Sequence, residues 1–310
     1  MTCYKPIQAY RPNYDLRQRQ GETKLKFHVS LDEEKNYQPI EIPCGKCIGC
    51  RLEYSRIWAI RCYHESLLYE NNCFLTLTLS PDYLQTQPNP NSLDKILLQK
   101  FWRRLRKKYG KGIRYYACGE YGEETYRPHY HACVFNHDFM DKEYWKTTEA
   151  GERLYISDQL HNLWYDTKLK MPMGYCYIGN VTFKSAAYVA RYIMKKITGQ
   201  RADSYYVDEN GVCMQPEFVT MSRRPGLGSQ WYKKYKEDLY NYDECVINGV
   251  KTAVPKYYDT ILQKEDPLEL EDIKIERLTS AKKYAQHSTT DRLKVREKVK
   301  LSQISTLQRK

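Results

Sequence analysis

No stretch of the sequence approaches the roughly 18 consecutive apolar residues that read as a membrane span. The polar segment Met1–Arg17 lacks the apolar run of a signal peptide, so a cytoplasmic location without a membrane partner is expected. No internal repeat and no long low-complexity block interrupts the 310 residues, which leaves one large domain or two smaller ones. No Gly-rich loop ending in Gly-Lys-Ser/Thr is present, which argues against an intrinsic helicase. Phenylalanine is scarce, with seven residues against thirty tyrosines. Acidic side chains are the minority, 38 against 50 Lys and Arg.

That imbalance leaves a net charge of +12, which suits a polyanionic partner such as nucleic acid. Tyrosine joins a stacking face to a polar tip, as an aromatic and basic binding surface needs. Hydrophobic residues make up 41%, enough for a core. Eleven cysteines in a chain this long do not resemble a small secreted disulfide scaffold. In a reducing compartment they are buried thiols or metal ligands.

Residues 1–50 read as an irregular lead-in carrying a Cys-rich knuckle, 51–240 as the main domain, and 241–310 as a basic, partly helical tail. A helical pattern runs from Arg51 to about Glu70. Phe74–Leu79 alternates and reads as a strand that Pro81 ends. Ser92 is expected to cap a helix reaching Tyr109 and stopping at Gly110. Its buried face is expected to hold Leu93, Ile96, Leu97, Phe101 and Leu105. Its outer face carries Lys100, Arg103, Arg104, Arg106, Lys107 and Lys108. Ile113–Glu120 and His129–Phe135 read as paired strands. Residues 137–180 read as helix then short strand, and Ser185–Ile197 as a helix with Gly199 as its stop. The pattern predicts an α+β fold, a central antiparallel sheet flanked by helices, with a charged helical C-terminal tail.

His129-Tyr130-His131 is the sharpest chemical signal. Residues two apart on a strand face the same way, roughly 6.5–7 Å apart, so both imidazoles can share one divalent metal. Glu120, at the end of the preceding strand, is the natural third ligand if the two strands form a hairpin. Two histidines and a carboxylate leave positions open for water and a phosphate oxygen. Tyr188, Tyr192 and Lys195 form a second signal: at about 100° per residue they share one helix face, with Val189, Ile193 and Ile197 opposite. Cys44, Cys47 and Cys50 recur at the spacing of a metal knuckle. Structural Zn²⁺, free thiols or an iron–sulfur cluster all remain open. For zinc, Cys3, Cys62, His64 and Cys73 are candidates for the fourth ligand. Arg223 and Arg224 sit beside a glycine turn that suits phosphate.

FLTLTLSP at Phe74–Pro81, RPHYHACVF at Arg127–Phe135 and YVARYIMK at Tyr188–Lys195 occur in that order. They resemble the three motifs of the HUH endonuclease superfamily, and the paired tyrosines resemble the rolling-circle initiators of microviruses. PCGKCIGCR at Pro43–Arg51 and MSRRPGLG at Met221–Gly228 resemble the replication protein of the gokushovirus branch. Arg191 departs from the lysine often seen there but keeps the charge. Tyr130 is bulkier than the aliphatic residue the superfamily name implies, and is expected to face away from the metal.

The resemblance implies a histidine strand in the middle of the sheet with the tyrosine helix packed across it, and a nickase domain at 51–240. It implies Mg²⁺ or Mn²⁺ on His129, His131 and Glu120, nucleophilic Tyr188 and Tyr192, and charge stabilisation by Lys195. DNA contacts are expected from Arg191, Arg223, Arg224, Arg103 and Arg104. The substrate would be a viral replication origin, with host DNA polymerase and helicase as partners in the bacterial cytoplasm. A relaxase or transposase of the same superfamily, or a non-catalytic zinc-knuckle DNA-binding protein, are the alternatives.

Overall fold

In the computed structural model, which describes residues 3–122, 125–192, 200–208 and 211–306, contacts divide the chain into two units. Residues up to Tyr54 and those from Lys274 onward form one, and Ser55–Ile273 the other. In the first, β1 (Ile7–Pro12) pairs antiparallel with β2 (Tyr37–Ile42), running from Ile7 opposite Ile42 to Pro12 opposite Tyr37. Between them lies α1 (Tyr14–Gln20), whose N-cap Asn13 accepts a hydrogen bond from the Leu16 amide. The helix Thr290–Thr306 also belongs here, and its Glu297 pairs with Lys5 at 3.2 Å. Helix α2 (Ile48–Ser66) begins in this unit.

The second unit continues with β3 (Asn72–Thr78), α3 (Pro81–Gln85), α4 (Lys95–Tyr109), β4 (Arg114–Tyr121) and β5 (Pro128–Phe135). A hairpin of β6 (Glu143–Thr147) and β7 (Arg153–Ile156) follows. Next come α5 (Asp158–Leu163), the short pair β8 (Tyr165–Asp166) and β9 (Met171–Pro172), β10 (Cys176–Gly179) and α6 (Phe183–Tyr192). The remainder is α7 (Gln200–Tyr205), β11 (Phe218–Met221), α8 (Ser229–Asn241), the hairpin β12 (Glu244–Ile247) with β13 (Val250–Ala253), α9 (Lys256–Glu265) and the start of the helix Pro267–Lys283.

Seven described strands form one antiparallel sheet in the order β11-β4-β5-β3-β10-β7-β6. This is the predicted α+β architecture. The period of two along a strand sorts the residues into two layers. Leu75 and Leu77 of β3, Ala117 of β4 and Tyr130, Ala132 and Val134 of β5 pack with Leu97, Leu98, Phe101, Trp102 and Leu105 of α4. The alternate residues Phe74, Tyr116, Cys118, Cys133 and Phe135 pack with Ala59 and Cys62 of α2 and Ala186, Val189 and Ala190 of α6. Helices thus cover both faces, and β5 between β3 and β4 is almost wholly buried. Close approach at one sheet end requires Gly174: a Cβ there would lie 2.3 Å from the Thr78 carbonyl oxygen.

Several boundaries differ from the sequence reading for identifiable reasons. Asp94, not Ser92, caps α4: Asp94 Oδ1 accepts from the Ile96 amide at 2.6 Å, while Ser92 Oγ accepts from the Gln215 amide. The buried stripe therefore includes Leu98 and Trp102, and Ile96 is 57% exposed. The β6–β7 hairpin was missed within 137–180 because β6 is an exposed sheet edge without apolar alternation. The expected boundary at 240 also fails. Cys245, Ile247, Val254, Tyr258 and Leu262 pack against Tyr232, Leu239 and Tyr240 of α8, so this stretch belongs to the second unit's core. The expected helix over Ser185–Ile197 is described as far as Tyr192; Ile193, Lys195, Ile197 and Gly199 lie outside the described residues.

Candidate metal and tyrosine site

The hairpin register sets Glu120 opposite His129, and β3 sets Thr76 opposite His131. Glu120, His129 and His131 consequently rise from the face that α6 covers. The Glu120 carboxylate is 2% exposed, and its Oε1 lies 2.7 Å from His129 Nε2 and 3.0 Å from His131 Nε2. Its other oxygen, Oε2, is buried without a hydrogen-bond partner among the described residues. Burial pushes the Glu120 carboxyl up, but hydrogen bonds from the two histidines outweigh this and hold it below its ordinary value.

The outer ring nitrogens are also held. His129 Nδ1 lies 3.1 Å from the Arg127 carbonyl oxygen, which can only accept, so Nδ1 carries a proton. His131 Nδ1 lies 3.1 Å from Thr76 Oγ1. A proton on each Nδ1 leaves each Nε2 available as a ligand on the Glu120 side. Two imidazole nitrogens and a carboxylate, one oxygen of which is unpartnered, match what a divalent ion requires. Sequence reasoning found these three ligands but not Thr76. Its signal was the alternation of threonine with leucine in FLTLTL, which puts a hydroxyl on the histidine face.

Helix α6 brings Tyr188 to the same place. Its half-buried ring meets His131 edge to face at 5.1 Å between centroids and Phe74 at 6.4 Å. Phe74 in turn stacks on His131 at 5.7 Å. Val189 and Ala190, fully buried, fix the helix on the sheet. Tyr192 closes α6; its side chain and all of Lys195 lie outside the described residues. Tyr130 faces the opposite layer, as expected, where its hydroxyl donates to the Asp94 carbonyl at 2.9 Å.

The basic residues fall into two groups. Arg191, Arg103, Arg223 and Arg224 are exposed. Arg104 is half-buried and donates from Nε to the Leu163 carbonyl at 3.0 Å, which ties it to the fold. The turn bearing Arg223 and Arg224 is pinned from below. Arg114 pairs with fully buried Glu65 and donates to the Pro225 carbonyl, and Glu65 accepts from the Gly228 amide at 2.6 Å.

Far from this chemistry in sequence, Cys3 joins Cys44, Cys47 and Cys50, with all four sulfurs within 4.8 Å of one another. The other fourth-ligand candidates are elsewhere: Cys62 and Cys73 are in the sheet's two cores, and His64 Nδ1 bonds the Tyr258 hydroxyl at 2.9 Å. Burial pushes the Cys47 thiol up, but amide hydrogen bonds from Tyr4 and Cys50 outweigh it and bring it down to about 6. No helix among the described residues is long and apolar enough to cross a membrane.

Comparison with known proteins places this geometry. Residues 72–197, from β3 past α6, match the family model for the replication-associated protein ORF2. The chain is 33% identical over 278 residues to the replication-associated protein VP4 of Bdellovibrio phage phiMH2K, covering 86% of this chain and 79% of the relative. It is 33% identical over 304 residues to the replication-associated protein ORF2 of Spiroplasma virus 4, covering 91% and 88%. With the replication-associated protein ORF4 of Chlamydia phage 1 it shares 29% identity over 232 residues, 72% of this chain and 54% of that one. No solved structure matches. A chain aligned along nine-tenths of its length with such a relative, and carrying the family's matched segment across its histidine strand and tyrosine helix, belongs to the phage replication-associated proteins of the ORF2, microvirus type.

Proposed function

We propose that this protein initiates rolling-circle replication of phage DNA by nicking the origin with a tyrosine and staying attached to the cut end. The observation that supports this best is the convergence of both histidine Nε2 atoms on Glu120 beside the Tyr188 ring. The ligand set suits Mg²⁺ or Mn²⁺. When bound, the ion would polarise the scissile phosphate and offset charge in the transition state.

The chain's own residues supply the rest. Packing on the sheet holds α6, so Tyr188 is presented without large motion. Its hydroxyl oxygen attacks the phosphorus as its proton leaves. The bond from phosphorus to the 3′-oxygen breaks, and that oxygen takes up a proton. The products are a 5′-phosphotyrosine and a free 3′-hydroxyl, which host DNA polymerase extends while a host helicase separates the strands. Tyr192, one turn further along α6, cuts the regenerated origin in the same way. The new 3′-hydroxyl then attacks the first phosphotyrosine, the tyrosine oxygen leaves, and a single-stranded circle closes. Lys195 stabilises charge on the phosphate, and Arg191, Arg223, Arg224 and Arg103 hold the DNA backbone. The host cytoplasm is where these partners meet.

Incubation with labelled origin oligonucleotide and Mn²⁺ tests this. A covalent adduct on a denaturing gel, mapped by mass spectrometry to Tyr188 or Tyr192, is expected. Salt-sensitive retention without an adduct would mean a binding protein instead. An adduct that joins separate DNA molecules but never closes circles would mean a relaxase or transposase.

A further inference from the structure

We propose that Cys3, Cys44, Cys47 and Cys50 bind one zinc ion in a structural tetrathiolate site, separate from the divalent-ion site on β4 and β5. The sulfur geometry carries this. Cys44 Sγ and Cys50 Sγ are 3.9 Å apart, and so are Cys47 Sγ and Cys3 Sγ. Four sulfurs at about 2.3 Å from a tetrahedral zinc stand roughly 3.8 Å from each other. A disulfide needs about 2.05 Å. In an iron–sulfur cluster each thiolate holds a different iron, which spreads the sulfurs apart.

The backbone is arranged for thiolates. Amides of Tyr4, Cys44, Cys47 and Cys50 point at the sulfurs of Cys47, Cys3, Cys44 and Cys47, at 3.3 to 3.5 Å. Such N–H donors offset the surplus negative charge of four thiolates around one dication. Gly45 makes the knuckle turn with φ +71, a conformation that favours glycine. Cys47 also caps α2: its carbonyl accepts from the Arg51 amide, and its sulfur from the Cys50 amide. Cys3 and Cys47 are buried, while Cys44 and Cys50 are partly open, which gives an ion an entry path. Each thiol that still carries a proton releases it to solvent as the bond to zinc forms. Soft thiolates select zinc over Mg²⁺ or Mn²⁺, so the two sites take different ions. The role is to tie the strand-bearing N-terminal segment to the start of α2, across the 41 residues between Cys3 and Cys44.

The test is elemental analysis of full-length protein purified under reducing conditions, combined with differential alkylation. One zinc per chain is expected, unchanged in the His129→Ala/His131→Ala double variant, so loss of the nickase reading would leave this result standing. Removal of zinc with a strong chelator should expose four additional thiols to alkylation, mapped to Cys3, Cys44, Cys47 and Cys50. Cys213, which is exposed, should be alkylated throughout. Cobalt substitution should produce the thiolate charge-transfer and ligand-field bands of a tetrahedral four-sulfur site. Iron with inorganic sulfide, a native disulfide among the four, or metal-free folded protein with all four already reactive would each overturn the assignment. So would a soluble Cys3→Ser variant retaining full zinc and the four-sulfur cobalt spectrum.

Discussion

Glu120 supplies the only carboxylate in the described histidine cluster, and its two oxygens differ: one meets both imidazoles and the other is unpartnered. Removing either imidazole breaks the ligand set without touching the basic surface. His129→Ala or His131→Ala should therefore abolish nicking while DNA retention in a gel shift stays near the parent level. Near-parent cleavage by the double variant would end the metal assignment. Thr76→Val keeps the shape beside His131 and removes its outer hydrogen bond; the Mn²⁺ dependence of nicking should move about 10-fold higher. The tyrosines are separable by the same logic. About 6 Å of helical rise lies between Tyr188 and Tyr192, so one scissile phosphate cannot meet both in a single pose. Phenylalanine at either keeps the ring and removes the nucleophile. At least one single variant should nick an oligonucleotide yet release no closed circles, and the double variant should form no adduct. Wild-type circle yield from either single variant would leave only one nucleophile. The His-x-His pair was legible in sequence because strand period alone sets its face. The contact between Tyr188 and His131 was not, because it depends on where α6 lies across the sheet.

Helix α4 illustrates what holds an element in place. Tyr130 of β5 is fully buried, donates to the Asp94 carbonyl and accepts from the Asp94 amide at 3.0 Å. One phenol thus satisfies two backbone groups at the start of the helix. Tyr130→Phe leaves both without this partner, and a loss of about 1–3 kcal/mol is expected in chemical denaturation. A loss within error would mean that water replaces the hydroxyl. The element was legible, since its apolar spacing and Gly110 stop are sequence-local, but its cap and stripe were displaced by two residues and one position. The choice between Ser92 and Asp94 turns on Gln215, 123 residues from Ser92, which draws the serine hydroxyl away.

At the scale of the molecule, acid stability and salt response report on buried and surface charge respectively. His64 stacks on Trp231 at 3.5 Å between centroids and lies beside Tyr258. Burial pushes its imidazole from its ordinary 6.5 down to about 3. The unfolded chain therefore binds the extra proton between those limits, so this contribution is complete above pH 6.5 and is lost as pH falls toward 3. It is of the order of 5 kcal/mol. His64→Phe should flatten the fall of the denaturation midpoint across that window; an unchanged slope would mean that the histidine is not neutral and buried in solution. On the surface, Arg103, Arg106, Lys107 and Lys111 line an open concavity of about 560 Å³ with Trp102 and Tyr115, whose rings stack at 4.0 Å. Reversing Arg103, Lys107 and Lys111, or Arg223 with Arg224, should weaken DNA binding and flatten its dependence on salt by about 0.9 in log–log slope for each phosphate the variant no longer neutralises. Unchanged slopes for both sets would mean that these charges only keep the protein in solution.

The sequence by itself determined the α+β class, the strand carrying both histidines, its hairpin with Glu120, and the helix that presents Tyr188. Each follows from a local period or from short-range register, which need no knowledge of the rest of the chain. Tertiary structure alone decided that Cys3 and not Cys62, His64 or Cys73 completes the sulfur cluster. It decided that residues 241–265 build core and not tail, and that Arg104 is bound to the Leu163 carbonyl while Arg103 faces solvent. These outcomes rest on contacts between residues tens to more than a hundred positions apart, where packing selects among side chains that local pattern leaves equivalent.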